Sequence, residues 1–176
     1  MAGFTVTEVA IVMVIMGILV GIGLPSFRYV TTSNRISSEI NGLLGDMQFT
    51  RSQAIKQGQT VTICASSDSL SCSGSIHWEL GWIVCLDPAV TQQCAGLTII
   101  RVQPKFNAKD TLVSSVAGYS ATSFNRMGYA PTGQLNTFTI NLHDQTNTSA
   151  WTRCLAVTPA GSVSTEQYGA GTPPCS

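Results

Sequence analysis

The chain has 176 residues, nine basic and nine acidic side chains and no formal net charge, and only 10% of it is charged. That balance excludes a general polyanion-binding surface, while the length suits one domain with an appended segment. Six cysteines point to an oxidising compartment and disulfides.

The N-terminal stretch dominates the pattern. Val9 to Phe27 contains no charged side chain and is mostly Val, Ile, Leu, Met and Gly. As a helix it would span about 28 Å, the thickness of a hydrocarbon core. Glu8 stands at the edge of this run. An unpaired carboxylate at the membrane centre costs about 2.5–3.5 kcal/mol, which marks Glu8 as functional. A secretory signal would carry a basic start and a small-residue cleavage site after the apolar run, and neither is present. A buried core helix is rarely apolar all round.

Residues 26–57 continue the helix in an amphipathic form. Ile36, Ile40, Leu43, Met47 and Ala54 form a stripe widened by Leu44 and Phe49. Most of Arg28, Arg35, Glu39, Asp46, Arg51 and Lys56 are expected to face solvent. Gly42 and Gly45 are expected to permit close approach to a sheet. Lys56 and Gly58 supply the stop.

From Gln59 the period becomes that of strands, expected at Thr60–Ala65, Trp78–Leu86, Leu97–Val102, Thr111–Val116, Ala121–Asn125, Thr137–Leu142, Arg153–Thr158 and Ser162–Thr165. Gly74, Gly96, Gly118, Gly128, Gly133 and Gly161 punctuate them. The alternation in Thr137–Leu142 predicts one solvated face. The fold class is α+β: one long N-terminal helix packed on an antiparallel, sandwich-like β domain. The expected pairing of the cysteines is neighbour to neighbour, Cys64–Cys72, Cys85–Cys94 and Cys154–Cys175, among many connectivities that six cysteines allow. No C-x-x-C pair occurs, so a zinc site is disfavoured and no metal is expected.

Gly3-Phe4-Thr5-Val6-Thr7-Glu8-Val9, the uncharged run and Pro25 together resemble the class III signal of type IV pilins and type II secretion pseudopilins. The resemblance implies cleavage between Gly3 and Phe4 by a prepilin peptidase, N-methylation of Phe4, an assembly salt bridge at Glu8 and a helix kink at Pro25. Further on, Val61–Cys64, Cys72, Trp78–Val84, Phe124–Gly128 and Arg153–Gly161 resemble the globular domain of the GspH/FimT/FimU group. Residues 1–3 then form a leader remnant, 4–27 the transmembrane and filament-core half of the helix, 28–58 its amphipathic half, and 59–176 the stapled β domain.

The resemblance implies a non-enzymatic minor pilin that joins or primes a type IV pilus, at or near its tip. The alternative is a minor pseudopilin of type II secretion. Its partners would be other pilins through the N-terminal helix, the peptidase, and the inner membrane before assembly. The periplasmic domain would end at the cell surface.

No catalytic residues or cofactor are expected. His77 and His143 stand without a second ligand at helical spacing, Asp87 before Pro88 reads as turn chemistry, and Asn147-Thr148-Ser149 matches a glycosylation sequon. DNA-binding competence pilins of this group carry an arginine-bearing stretch after the late strand. Here Gly161-Ser162-Val163-Ser164 stands in its place, so nucleic acid is expected to bind weakly or not at all. Arg101, Lys105 and Lys109 form the basic cluster that would make any weak DNA contact.

Overall fold

The computed structural model describes residues 3, 5–116, 118–130 and 136–176, and of Pro25 the backbone alone. Met1, Ala2, Phe4, Gly133 and the Pro25 side chain, all named by the sequence reading, lie outside what is described. The chain divides into two compact units, Met1–Arg35 and Ile36–Ser176.

Helix α1 runs Val6–Gln57, and its backbone is assigned helical without a break at Pro25. Thr5 caps it: its Oγ1 accepts the Glu8 N–H at 3.3 Å, and its carbonyl oxygen accepts the Glu8 and Val9 N–H groups at 3.1 and 3.2 Å. Threonine followed three residues later by glutamate is a favoured helix start. No described side chain of the first unit is buried. Among the described residues α1 is the one helix long and apolar enough to cross a membrane.

The second unit combines the end of α1 with two four-stranded antiparallel sheets. The strands are β1 (Val61–Ala65), β2 (Gly81–Leu86), β3 (Ile99–Pro104), β4 (Thr111–Ser114), β5 (Ala121–Phe124), β6 (Phe138–His143), β7 (Arg153–Val157) and β8 (Val163–Gln167). The first sheet has the order β3-β2-β1-β5 and the second β4-β6-β7-β8. The predicted stripe is the core face of α1: Ile36, Ile40, Leu43, Met47 and Ala54 are buried in one cluster. With them lie Ile63, Trp82 and Val84 of the first sheet and Ile140, Leu142 and Leu155 of the second. The sheets are joined where the Glu79 carboxylate accepts the Leu112 N–H at 3.1 Å and the Ile76 carbonyl accepts the Ser114 N–H at 3.0 Å.

Several local expectations are corrected. The expected strand Trp78–Leu86 opens as a 3-10 turn, Trp78–Leu80, because Gly81 adopts φ 112° and sits so close to β3 that a Cβ would lie 2.7 Å from the Gln103 carbonyl oxygen. The strand expected from Leu97 begins at Ile99, since the Leu97 N–H is used in a turn to the Cys94 carbonyl. Gly42 and Gly45 approach nothing: a Cβ at either would meet no atom within 4 Å. Asp46 does not face solvent but is buried.

The largest correction concerns β6, where Phe138 through Leu142 are all buried despite their alternation. The second face is covered by the chain's own tail. The Asn141 Nδ2 donates to the carbonyl and hydroxyl oxygens of Ser176 at 3.0 and 3.2 Å, and the Cys154–Cys175 disulfide pins the tail beside it. The Thr139 N–H donates to the Ser115 hydroxyl at 3.2 Å. Alternation therefore records a polar layer under a strap rather than a wet surface.

Candidate functional site

The helix start carries the motif residues. Gly3 is exposed, Phe4 lies outside the described residues, and Glu8 is exposed in the first turn beside Val9, Val12 and Met13. The unsatisfied N–H groups of that turn give it partial positive character, which favours a carboxylate there. Around Glu8 the surface is apolar: Val9, Ile11, Val12, Met13, Ile15 and Met16 are all exposed. The arrangement is an acidic group at the mouth of an uncovered hydrophobic rod, suited to pairing with one cation while its neighbours enter lipid or other helices.

The second unit holds a polar clamp that the sequence reading missed. Asp46 projects from α1 toward the first sheet, where its Oδ2 accepts the Trp82 Nε1–H at 2.8 Å and its Oδ1 pairs with Arg101 Nε at 2.8 Å. The Arg101 guanidinium also lies over the Phe49 ring, 5.0 Å from its centroid, a cation–π geometry. Thr50 hides its hydroxyl by donating to the Asp46 carbonyl at 2.6 Å. The sequence carries a signal for this: Asp46 follows Leu43 by three and precedes Met47, so it borders the apolar stripe. Arg101 is thus engaged with the helix. Lys105 and Lys109 remain exposed in the segment after β3.

The outer face of the first sheet is covered by two disulfide loops. The disulfides join Cys64 to Cys72, Cys85 to Cys94 and Cys154 to Cys175, and leave no free cysteine. Each loop is also held by a carboxylate. Asp68 accepts the N–H groups of Leu70 and Ser71 and the hydroxyls of Ser71 and Ser66. These bonds, the Leu70 N–H foremost, hold its carboxyl well below the usual range. Asp87 is fully buried and accepts the Thr91 and Gln92 N–H groups at 2.9 and 2.8 Å and the Thr62 and Thr91 hydroxyls at 3.0 Å. Burial works to raise its carboxyl, but these four donors outweigh it and hold the carboxyl below its ordinary value.

Asp87→Asn should accordingly destabilise the chain by about 1–3 kcal/mol near neutral pH, because buried donors lose their acceptor. The lowered carboxyl contributes its stability fully above about pH 4, the ordinary carboxylate value. It loses that contribution as the pH falls through the lower folded value. The gap between the unfolding curves of parent and variant should therefore narrow on acidification.

Two stretches singled out by resemblance meet in space. Asn125 closes a turn by accepting the Met127 and Tyr129 N–H groups on its Oδ1. Gly128 (φ 79°) then abuts α1, where a Cβ would come 2.8 Å from Arg51 Nε. The turn after β7 lies against the same spot: a Cβ on Gly161 (φ 75°) would fall 2.0 Å from the Gly128 carbonyl oxygen. Gly161 thus fills a packing position in front of β8. His77 is exposed and His143 half-buried. His77 Nδ1 bonds to Glu79 Oε1 at 2.8 Å and His143 Nδ1 to the Thr152 hydroxyl at 3.1 Å.

Comparison with known proteins follows the same lines. The family model described as Type II transport protein GspH matches residues 39–161. Among solved structures, the chain resembles the type IV minor pilin FimU of Pseudomonas aeruginosa strain PAO1, seen in two crystal forms, each with a TM-score of 0.55 and 18% identity. The matches cover 80% and 76% of this chain and 92% and 91% of the FimU chains. At that identity the likeness speaks for the fold. No curated protein sequence matches the chain.

Proposed function

Because the chain belongs to the GspH family, whose members are minor pilins and pseudopilins, we propose that it is a minor subunit of a type IV pilus. In this reading it is a structural protein without enzymatic activity. It waits in the inner membrane with its β domain in the periplasm and enters the filament after cleavage between Gly3 and Phe4. The observation that carries this reading is the uncovered helix: between Val9 and Phe27 no residue is charged and every described side chain is exposed. Apolar area in water costs about 25 cal/mol per Å2, so such a surface needs lipid or other helices around it.

Assembly would exchange one cover for the other. Cleavage creates a cationic amino group at Phe4, and Glu8 of an adjoining subunit is its counter-charge. Methylation keeps that nitrogen cationic. Pro25 has no N–H to give to the helix ladder, and that local weakness lets the rod adapt as it packs. The partners are other pilins through residues 4–27 and, earlier, the prepilin peptidase.

A second reading, a minor pseudopilin of type II secretion, is favoured by the description of the matched family as a type II transport protein. Shearing filaments from cells and probing for the chain separates the two. A pilus subunit should be recovered with the filament, beginning at a methylated Phe4 by mass spectrometry. Its absence from sheared pili, together with co-isolation with secretion components, would establish the pseudopilin instead. DNA binding draws little support, since Arg101 is occupied by Asp46 and Gly161 by packing.

A further inference from the structure

We propose that the Cys64–Cys72 and Cys85–Cys94 disulfides form an exchange pair, in which reduction at Cys72 by an external dithiol re-pairs Cys64 with Cys94. Both disulfides lie on the outer face of the first sheet, in a small core with Ile83 and Ala121 that is separate from the main one. Cys64 on β1 and Cys94 in the second loop hold their Sγ atoms 3.7 Å apart. The sulfurs of Cys64, Cys72 and Cys94 all fall within 4.8 Å of one another. Spacing along the chain gave no hint of this cluster, because it is made by two loops folding onto one sheet face.

Exposure sets the order of events. Cys64, Cys85 and Cys94 are buried, whereas Cys72 is half-exposed, and thiol–disulfide exchange proceeds at the sulfur the attacking thiolate can reach. One thiolate of the reagent bonds to Cys72 Sγ, and the Cys64–Cys72 bond breaks with its electron pair on Cys64. The reagent's second thiol then displaces Cys72, which leaves as a thiol. Cys64 is now a thiolate in apolar surroundings, where the charged form is disfavoured. It attacks Cys94 Sγ, and the Cys85–Cys94 bond breaks with its electron pair on Cys85, which takes up a proton. In balance, one dithiol is oxidised to its disulfide, and two protein disulfides become one, Cys64–Cys94, with thiols at Cys72 and Cys85.

The loops do not depend on their sulfurs for position during this exchange. The first is fixed by Asp68 and by the Ser73 N–H donating to the Ala65 carbonyl at 2.8 Å. The second is fixed by Asp87 and by the Leu86 N–H donating to the Thr98 carbonyl at 2.9 Å. Cys64 therefore stays beside Cys94 after reduction, and the β1–β2 ladder need not open.

The test uses the full chain in detergent with substoichiometric dithiothreitol, an acid quench, thiol alkylation, and digestion by trypsin and a glutamate-specific protease. Cleavage after Lys56, Glu79 and Arg101 puts Cys64 and Cys72 on one fragment and Cys85 and Cys94 on another. Native pairing leaves these fragments unlinked. Exchange should link them through Cys64–Cys94, with alkyl labels at Cys72 and Cys85. The Cys72→Ser variant, which starts with a Cys64 thiol, should make the linked pair dominant without any reductant. Fragments that stay unlinked in both experiments would overturn the proposal. So would links spread evenly over the Cys64–Cys85, Cys72–Cys85 and Cys72–Cys94 combinations, because that pattern marks random scrambling.

Discussion

Glu8→Ala should remove the chain from sheared filaments while leaving the thermal unfolding of residues 36–176 unchanged. Glu8 lies in the first turn of α1, in the unit Met1–Arg35, and none of the buried core residues belongs to that unit. Its loss therefore costs the folded domain nothing. In the assembled filament the carboxylate is expected to be desolvated and paired with the amino group of Phe4 from another subunit. Removing one member of such a pair costs about 3–5 kcal/mol, since the other charge is left buried without compensation. That is about two to four orders of magnitude in a docking equilibrium. Glu8→Gln keeps the size of the side chain and removes the charge, so it should fail equally. Normal recovery of either variant would show that the charge has no part in docking.

Asp46→Ala should be the most damaging single change in the polar part of the domain. It strands the buried Trp82 N–H, at a cost of about 1–3 kcal/mol, and it releases Arg101. That guanidinium is half-exposed, so its ion pair adds at most about 1 kcal/mol. The two losses together correspond to a drop in melting temperature of about 5–10 °C for a domain of this size. Arg101→Ala should cost far less, because it leaves the Trp82–Asp46 bond intact. Circular dichroism melts of the two variants check the ordering, and equal shifts would show that the exposed ion pair, rather than the buried hydrogen bond, holds the helix to the sheet.

Much of this architecture was legible beforehand, and the reasons differ by element. The core face of α1 was readable because Ile36, Ile40, Leu43, Met47 and Ala54 repeat at the helical period, and burial follows period directly. The strands were readable because β-branched runs end at glycines that the backbone needs, as at Gly128 and Gly161. What escaped was long-range. Nothing near Asp46 in the chain announces Trp82 or Arg101, and only the packed sheet brings them together. The alternation of β6 does mark a two-faced strand, but its polar face is covered rather than solvated, because residues from the far end of the sequence, Cys175 and Ser176, lie against it. Glu8 is the reverse case: the apolar run that follows it singles the residue out in the sequence, while the docking partner we propose for it belongs to another subunit.

The covering of both sheets has a consequence for how such a protein can diversify. The first sheet is capped by the loops of Asp68 and Asp87, the second by the tail tied at Cys175. Away from the edge strands β3 and β8, which are partly exposed, what the domain shows to its surroundings is therefore carried by connecting segments rather than by strand faces. Substitutions there can reshape the displayed surface while the strand register and the helix-facing layer stay constant. A lineage could thus change what its subunit touches without renegotiating how the subunit folds.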